Sequence, residues 1–129
     1  MSSSKKNQVN LVQVLQEFEM NIQLYHWITE SFSRHKASDL LYETIGSHVD
    51  KFMEVYMGKY GRPILKNGQQ TLVVKKMSDA DFLAYLKEKI NFFQSILPQN
   101  LSQNDTDLLN IRDEIIADIN KVLYLCTLR

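Results

Sequence analysis

The chain has 129 residues, and fifteen Lys and Arg against fifteen Asp and Glu leave no formal net charge, which excludes a strongly cationic nucleic-acid binder. Four glycines and two prolines argue against a turn-rich all-β chain, and one cysteine, Cys126, cannot form an internal disulfide. A chain of this size buries roughly two-thirds of its unfolded surface. One domain over residues 1–129 is expected, with 1–7 as a flexible tail. The apolar runs are too short to span a bilayer, and the opening MSSSKKNQVN leads into no signal-peptide core. With a lone cysteine suited to a reducing compartment, the expectation is a soluble, cytoplasmic, mostly helical protein.

Val9, Val12, Leu15, Phe18, Ile22, Tyr25 and Ile28 step by three and four, and predict a first helix over about residues 8–30. Ser31 or Ser33 is the N-cap candidate for a second helix over 33–58, whose stripe is Leu41, Ile45, Val49, Phe52 and Tyr56. Gly58, Gly61 and Pro63 stop it. The short turn between the two predicts an antiparallel hairpin. Residues 61–77 carry Asn67-Gly68 and the β-branched run Thr71–Val74, which reads as a short strand or an extended crossover. Ser78 with Asp81 opens a third helix, with Phe82, Leu86, Ile90, Phe93 and Leu97 inward and Pro98 at its end. Ser102 with Asp105 repeats that signal before a fourth, carried by Leu108, Ile111, Ile115, Ile119, Val122 and Cys126. The fold class expected is all-α, a four-helix bundle with one long crossover between its second and third helices.

Three histidines are present: His26, His35 and His48. The hairpin brings His26, beside Trp27, close to His35. Asp50 and Glu54, four apart, share one face of the second helix. Two imidazoles and two carboxylates form an N/O ligand set suited to iron, zinc or manganese. Taken singly, each has a plainer reading: a helix-end histidine is usually a satisfied polar residue, and Asp-x-x-x-Glu is common on wet helices. His48 lies about 200° round the helix from Asp50, so it is read as a residue that packs or that supports a ligand from behind by a hydrogen bond. Asp39, one turn beyond His35, is a candidate to orient it through a hydrogen bond. Glu-x-x-His, Gly-rich phosphate loops and Cys-x-x-Cys do not occur.

The stretch His26-Trp27, Phe32, His35 and Asp50-Lys-Phe-Met-Glu54 resembles the Dps-like mini-ferritins, a branch of the ferritin-like superfamily. The resemblance implies a ferritin-like bundle that binds and oxidises ferrous iron, with O2 or H2O2 as oxidant, at an inter-subunit ferroxidase site. His26 and His35 would come from one chain, and Asp50 and Glu54 from a two-fold partner. Trp27 would then lie next to the site, where it intercepts oxidising equivalents or fills the dimer seam. A homodimer or higher homo-oligomer is implied. Leu24, Leu40, Met53 and Met57, off the main stripes, are candidates for its seam. Lys5, Lys6 and the Lys75-Lys76 pair offer only weak, salt-sensitive contacts to DNA, which is not an expected partner. Two alternatives stay open: a non-catalytic helical dimer acting as scaffold or binding module, and a hydrolytic or other metalloenzyme holding zinc or manganese.

Overall fold

The computed structural model of the protein describes residues 10–129; the tail expected over 1–7, and Val9, lie outside the described residues. Asn10 caps the first helix by accepting from the Gln13 backbone N–H at 3.1 Å, and α1 runs Leu11–Ile28. After the three-residue turn Thr29–Ser31, α2 runs Phe32–Tyr60, and Ser31 rather than Ser33 is its cap, accepting from Arg34 N at 3.2 Å. The helix passes through Gly58 and stops at Gly61, whose φ of 87° is the left-handed region that glycine enters without strain. α3 spans Asp79–Asn91, with Ser78 Oγ accepting from Asp81 N as the sequence pattern predicts. α4 spans Thr106–Leu125. Among the described residues the architecture is four helices and no strands, and no helix is long and apolar enough to cross a membrane.

Each helix sends a stripe spaced by three and four into one core. Phe18, Ile22, Leu41, Ile45, Phe82, Leu86, Leu97, Leu108, Ile115 and Ile119 are wholly buried. At about 1.5–3 kcal/mol per buried aliphatic or aromatic side chain, this core outweighs every polar contact described below. Tyr25 stacks on Phe82 with ring centroids 3.8 Å apart, which ties α1 to the start of α3. The stripe of α1 is set one residue from its expected start. Leu11, not Val12, enters the core, because only Leu11, Leu15, Phe18, Ile22 and Tyr25 keep the register that faces the other helices.

Two boundaries differ from expectation for local reasons. After Asn91 the third helix widens into a π turn over Phe92–Ile96 and tightens into a 3-10 turn over Leu97–Asn100. Leu97 N bonds back to Phe92 O, which leaves Phe93 O without its helical donor, and Arg112 of α4 donates to it at 3.1 Å. The inserted residue lets the adjacent Phe92 and Phe93 both be buried. The fourth helix opens at Thr106 instead of just after Ser102, because Asp105 turns back: its Oδ2 accepts from Ser102 N at 2.8 Å. The same carboxylate accepts from Tyr60 Oη and, at 2.8 Å, from Lys59 Nζ, fastening the start of α4 to the end of α2. Burial alone would raise the Asp105 pKa, but these three donors outweigh it and hold the carboxyl at about 2.

The connection over residues 61–78 forms no strand. It makes a 3-10 turn at Lys66–Gly68, with Asn67 at φ 57°, and then lies extended along α1. A lone extended segment has no ladder partner, so its backbone groups go to α1 side chains. Gln13 Nε2 donates to Thr71 O at 2.7 Å, Glu17 Oε2 accepts from Val73 N at 2.9 Å, and Gln70 pairs with Gln16. The buried Asn21 does most: Nδ2 donates to Val73 O at 3.1 Å and to Glu17 O at 2.8 Å, while Oδ1 accepts from Lys75 N at 2.9 Å. The strap delivers Asp79 to the α1–α2 turn, where its carboxylate accepts from Tyr25 Oη at 2.5 Å and Thr29 Oγ1 at 3.1 Å.

Asn21→Ala removes three bonds and orphans buried strap groups, so urea unfolding should show a loss of about 1–3 kcal/mol. Hydrogen exchange should accelerate at the Val73 and Lys75 amides, with Tyr25–Phe82 packing retained.

Candidate functional site

The three-residue turn sets the last turn of α1 against the first turns of α2, and the two histidines meet there. Their rings stack, with centroids 4.0 Å apart and planes 17° off parallel. Each bonds the other's backbone: His26 Nδ1 is 2.8 Å from His35 O, and His35 Nδ1 is 2.8 Å from His26 O. A carbonyl only accepts, so both Nδ1 atoms carry hydrogen, and in the neutral rings the lone pair sits on Nε2. A backbone carbonyl holding the far nitrogen is the arrangement that orients metal-ligating histidines. Ser38 lies behind the pair, its Oγ 3.3 Å from His26 Nδ1 and donating to Arg34 O at 2.8 Å. Asp39 approaches His26 rather than His35, with Oδ1 3.8 Å from His26 Nε2, beyond hydrogen-bond length.

Asp50 and Glu54 lie exposed, one turn apart on α2. Asp50 is fifteen residues past His35, about 22 Å along the axis at 1.5 Å per residue. One chain therefore separates its imidazoles from these carboxylates. Among the described residues no three His, Cys, Asp or Glu side chains converge on a point where an ion would fit. Trp27 and Phe32 flank the histidines with 65% and 74% of their surface exposed, and Lys36 Nζ sits 5.6 Å from the Phe32 ring centre.

A groove of about 610 Å³ runs between α1 and α2 and includes Asp50 in its wall. Val12, Leu15, Val49, Met53 and Met57 give it an apolar lining. Glu19 also lines it, lying against Gly46, and no sequence motif marks that residue. Burial, and then the charge of Asp50, raise its carboxyl from 4.5 to about 7. The available signal was periodic: Glu19 precedes His26 by seven residues, two turns along the same face of α1.

His48 faces α4, away from Asp50. Asp118 Oδ2 lies 2.6 Å from Nδ1, and Glu114 Oε2 lies 3.3 Å from Nε2. The carboxylates grip opposite ring nitrogens, so the three groups form an interhelical tie and present no common coordination point.

A carboxyl whose folded pKa is raised stabilises least when ionised. Relative to Glu19→Gln, the metal-free protein should match in stability below pH 4.5, lose ground as pH rises, and reach its full deficit above about 7. The group is half exposed and water-screened, so the deficit should be about 1 kcal/mol. Urea denaturation from pH 4 to 8 at fixed protein concentration checks this.

No curated protein and no solved structure matches the chain. One family profile matches residues 26–126, a span that opens at His26, takes in His35, Asp50 and Glu54, and leaves out Glu19. That match covers most of the chain, which therefore belongs to the Family of unknown function (DUF5856).

Proposed function

We propose that this protein binds ferrous iron as a substrate and oxidises it at a site shared by two copies of the chain. His26 and His35 come from one copy, Asp50 and Glu54 from the other, in the manner of the Dps-like mini-ferritins. The observation that carries this reading is the paired histidine lock, which stacks the two rings 4.0 Å apart and sets both tautomers with the lone pair on Nε2. The donor set fits the ion: imidazoles hold Fe(II), and two carboxylates offset the added charge of Fe(III) as its electron passes to O2 or H2O2. Separation of the two half-sets within one chain is what a two-fold antiparallel arrangement requires.

The ferritin-like crossover belongs to the same reading. Arg34 at the start of α2 donates to Asp79 O at the start of α3 at 3.1 Å, and Lys59 and Tyr60 at the end of α2 meet Asp105 before α4. These contacts support second and third helices running the same way, joined by the strap. Zinc or manganese would suit the same donors.

A second reading, a non-catalytic dimer serving as scaffold or binding module, is favoured by exposed Trp27 and Phe32 at the turn and by the apolar groove farther along α1 and α2. In it the histidine bonds simply staple the turn.

Light scattering, anaerobic Fe(II) calorimetry and an oxidation assay decide between these readings. His26→Ala and Asp50→Ala should each abolish tight binding and oxidation. Mixing the two variants through refolding should restore about one quarter of wild-type sites, since half the dimers are mixed and each holds one intact site. A wild-type dimer that binds no Fe(II), or variants that bind it undiminished, would overturn the iron assignment.

A further inference from the structure

A second cavity, of about 480 Å³, lies between α1, the strap and α3, on the face of α1 that carries Glu17 and Asn21. These project about 200° round the helix from Glu19, so this cavity is separate from the α1–α2 groove. Two polar groups in its wall are poorly served by the chain itself. Tyr85 Oη is buried and makes no hydrogen bond among the described residues. The neighbouring Asn21 amide gives its two hydrogens to Glu17 O and Val73 O. One turn on, Lys89 extends its ammonium over the Tyr85 and Phe92 rings, 5.1 and 5.8 Å from their centres. No carboxylate lies within ion-pair distance of it among the described residues. Burial pushes the Lys89 pKa down and the Tyr85 pKa up, so the phenol stays a donor. An unpaired buried hydroxyl and a desolvated, unpaired ammonium each cost free energy.

We propose that this cavity binds a small molecule bearing an oxyanion, a phosphate or a carboxylate, held by Tyr85 Oη and the Lys89 ammonium with Lys75 and Lys76 of the strap. One anionic oxygen between the phenol and the ammonium relieves both costs together, and a charge-assisted bond is the stronger kind. The volume lies within the range of small-molecule sites. The cavity wall also carries Glu17, whose Oε2 accepts from Val73 N, and the solvent-exposed Asp81 and Glu88. The charges of Glu17 and Glu88 act on Lys89 and Tyr85, so the anion is held by direct hydrogen bonds from the donors rather than by net charge. This inference is independent of the iron reading, since it uses none of its residues.

Titration of 15N-labelled protein with inorganic phosphate and, separately, with citrate tests it. Saturable amide shifts confined to residues 73–77 and 85–89 are expected with at least one of them, and the tighter anion identifies the group recognised. Lys89→Met, which keeps the apolar stem, should weaken that binding at least about tenfold. Tyr85→Phe, which removes one oxygen, should weaken it severalfold. No saturable shift with either anion at about 10 mM, or an unchanged affinity in Lys89→Met, would overturn the proposal.

Discussion

The shortness of the α1–α2 turn is the constraint on which most of this molecule depends. Three residues between two long helices force the end of one against the start of the next. The last carbonyls of any helix lack internal donors, and here the His26 carbonyl finds one in the His35 ring. The return bond from His26 to His35 O, a carbonyl inside α2, closes the pair across the turn. The same register sets Glu19 against Gly46, in the groove wall that also carries Asp50. It also places Tyr25 and Arg34 where Asp79 can bond both, which fixes where the third helix begins.

The other long-range problem is the strap. Its backbone groups have no ladder to join, and α1 supplies them from Gln13, Glu17 and Asn21, residues spaced by four along one face. That polar row does the work a neighbouring strand would have done. It uses both Asn21 amide hydrogens on backbone carbonyls, and the neighbouring Tyr85 Oη makes no hydrogen bond among the described residues.

Much of the framework was legible from spacing alone. Of the stripes expected for α2 and α4, Leu41, Ile45, Val49 and Phe52, then Leu108, Ile111, Ile115, Ile119 and Val122 are buried, with Tyr56 and Cys126 half-buried, while the buried Ala37 and Ser38 were not expected. Long amphipathic repeats survive because core burial dominates and its period is a local property. The errors lie where a distant partner decides. Asp105 has the spacing of a capping-box residue, yet its oxygens go to Lys59, Tyr60 and Ser102 and delay the helix. Thr71–Val74 was open between a short strand and an extended connection, and with only α1 beside it the extended form is the outcome. The π turn at Phe92 depends on Arg112, nineteen residues downstream of Phe93, to donate to the freed Phe93 carbonyl.

The histidines and carboxylates were visible as residue types at suggestive intervals, and Glu19 was not, because a lone glutamate on an amphipathic helix carries no mark. The sequence by itself determined four helices, their inward faces and the closeness of His26 to His35, since each follows from periodicity or from a short turn. Only the tertiary structure decided which ring nitrogens are bonded, which acid lies against Asp50, and that His48 serves α4. Those outcomes depend on groups from separate helices meeting in space, and no local pattern encodes such a meeting.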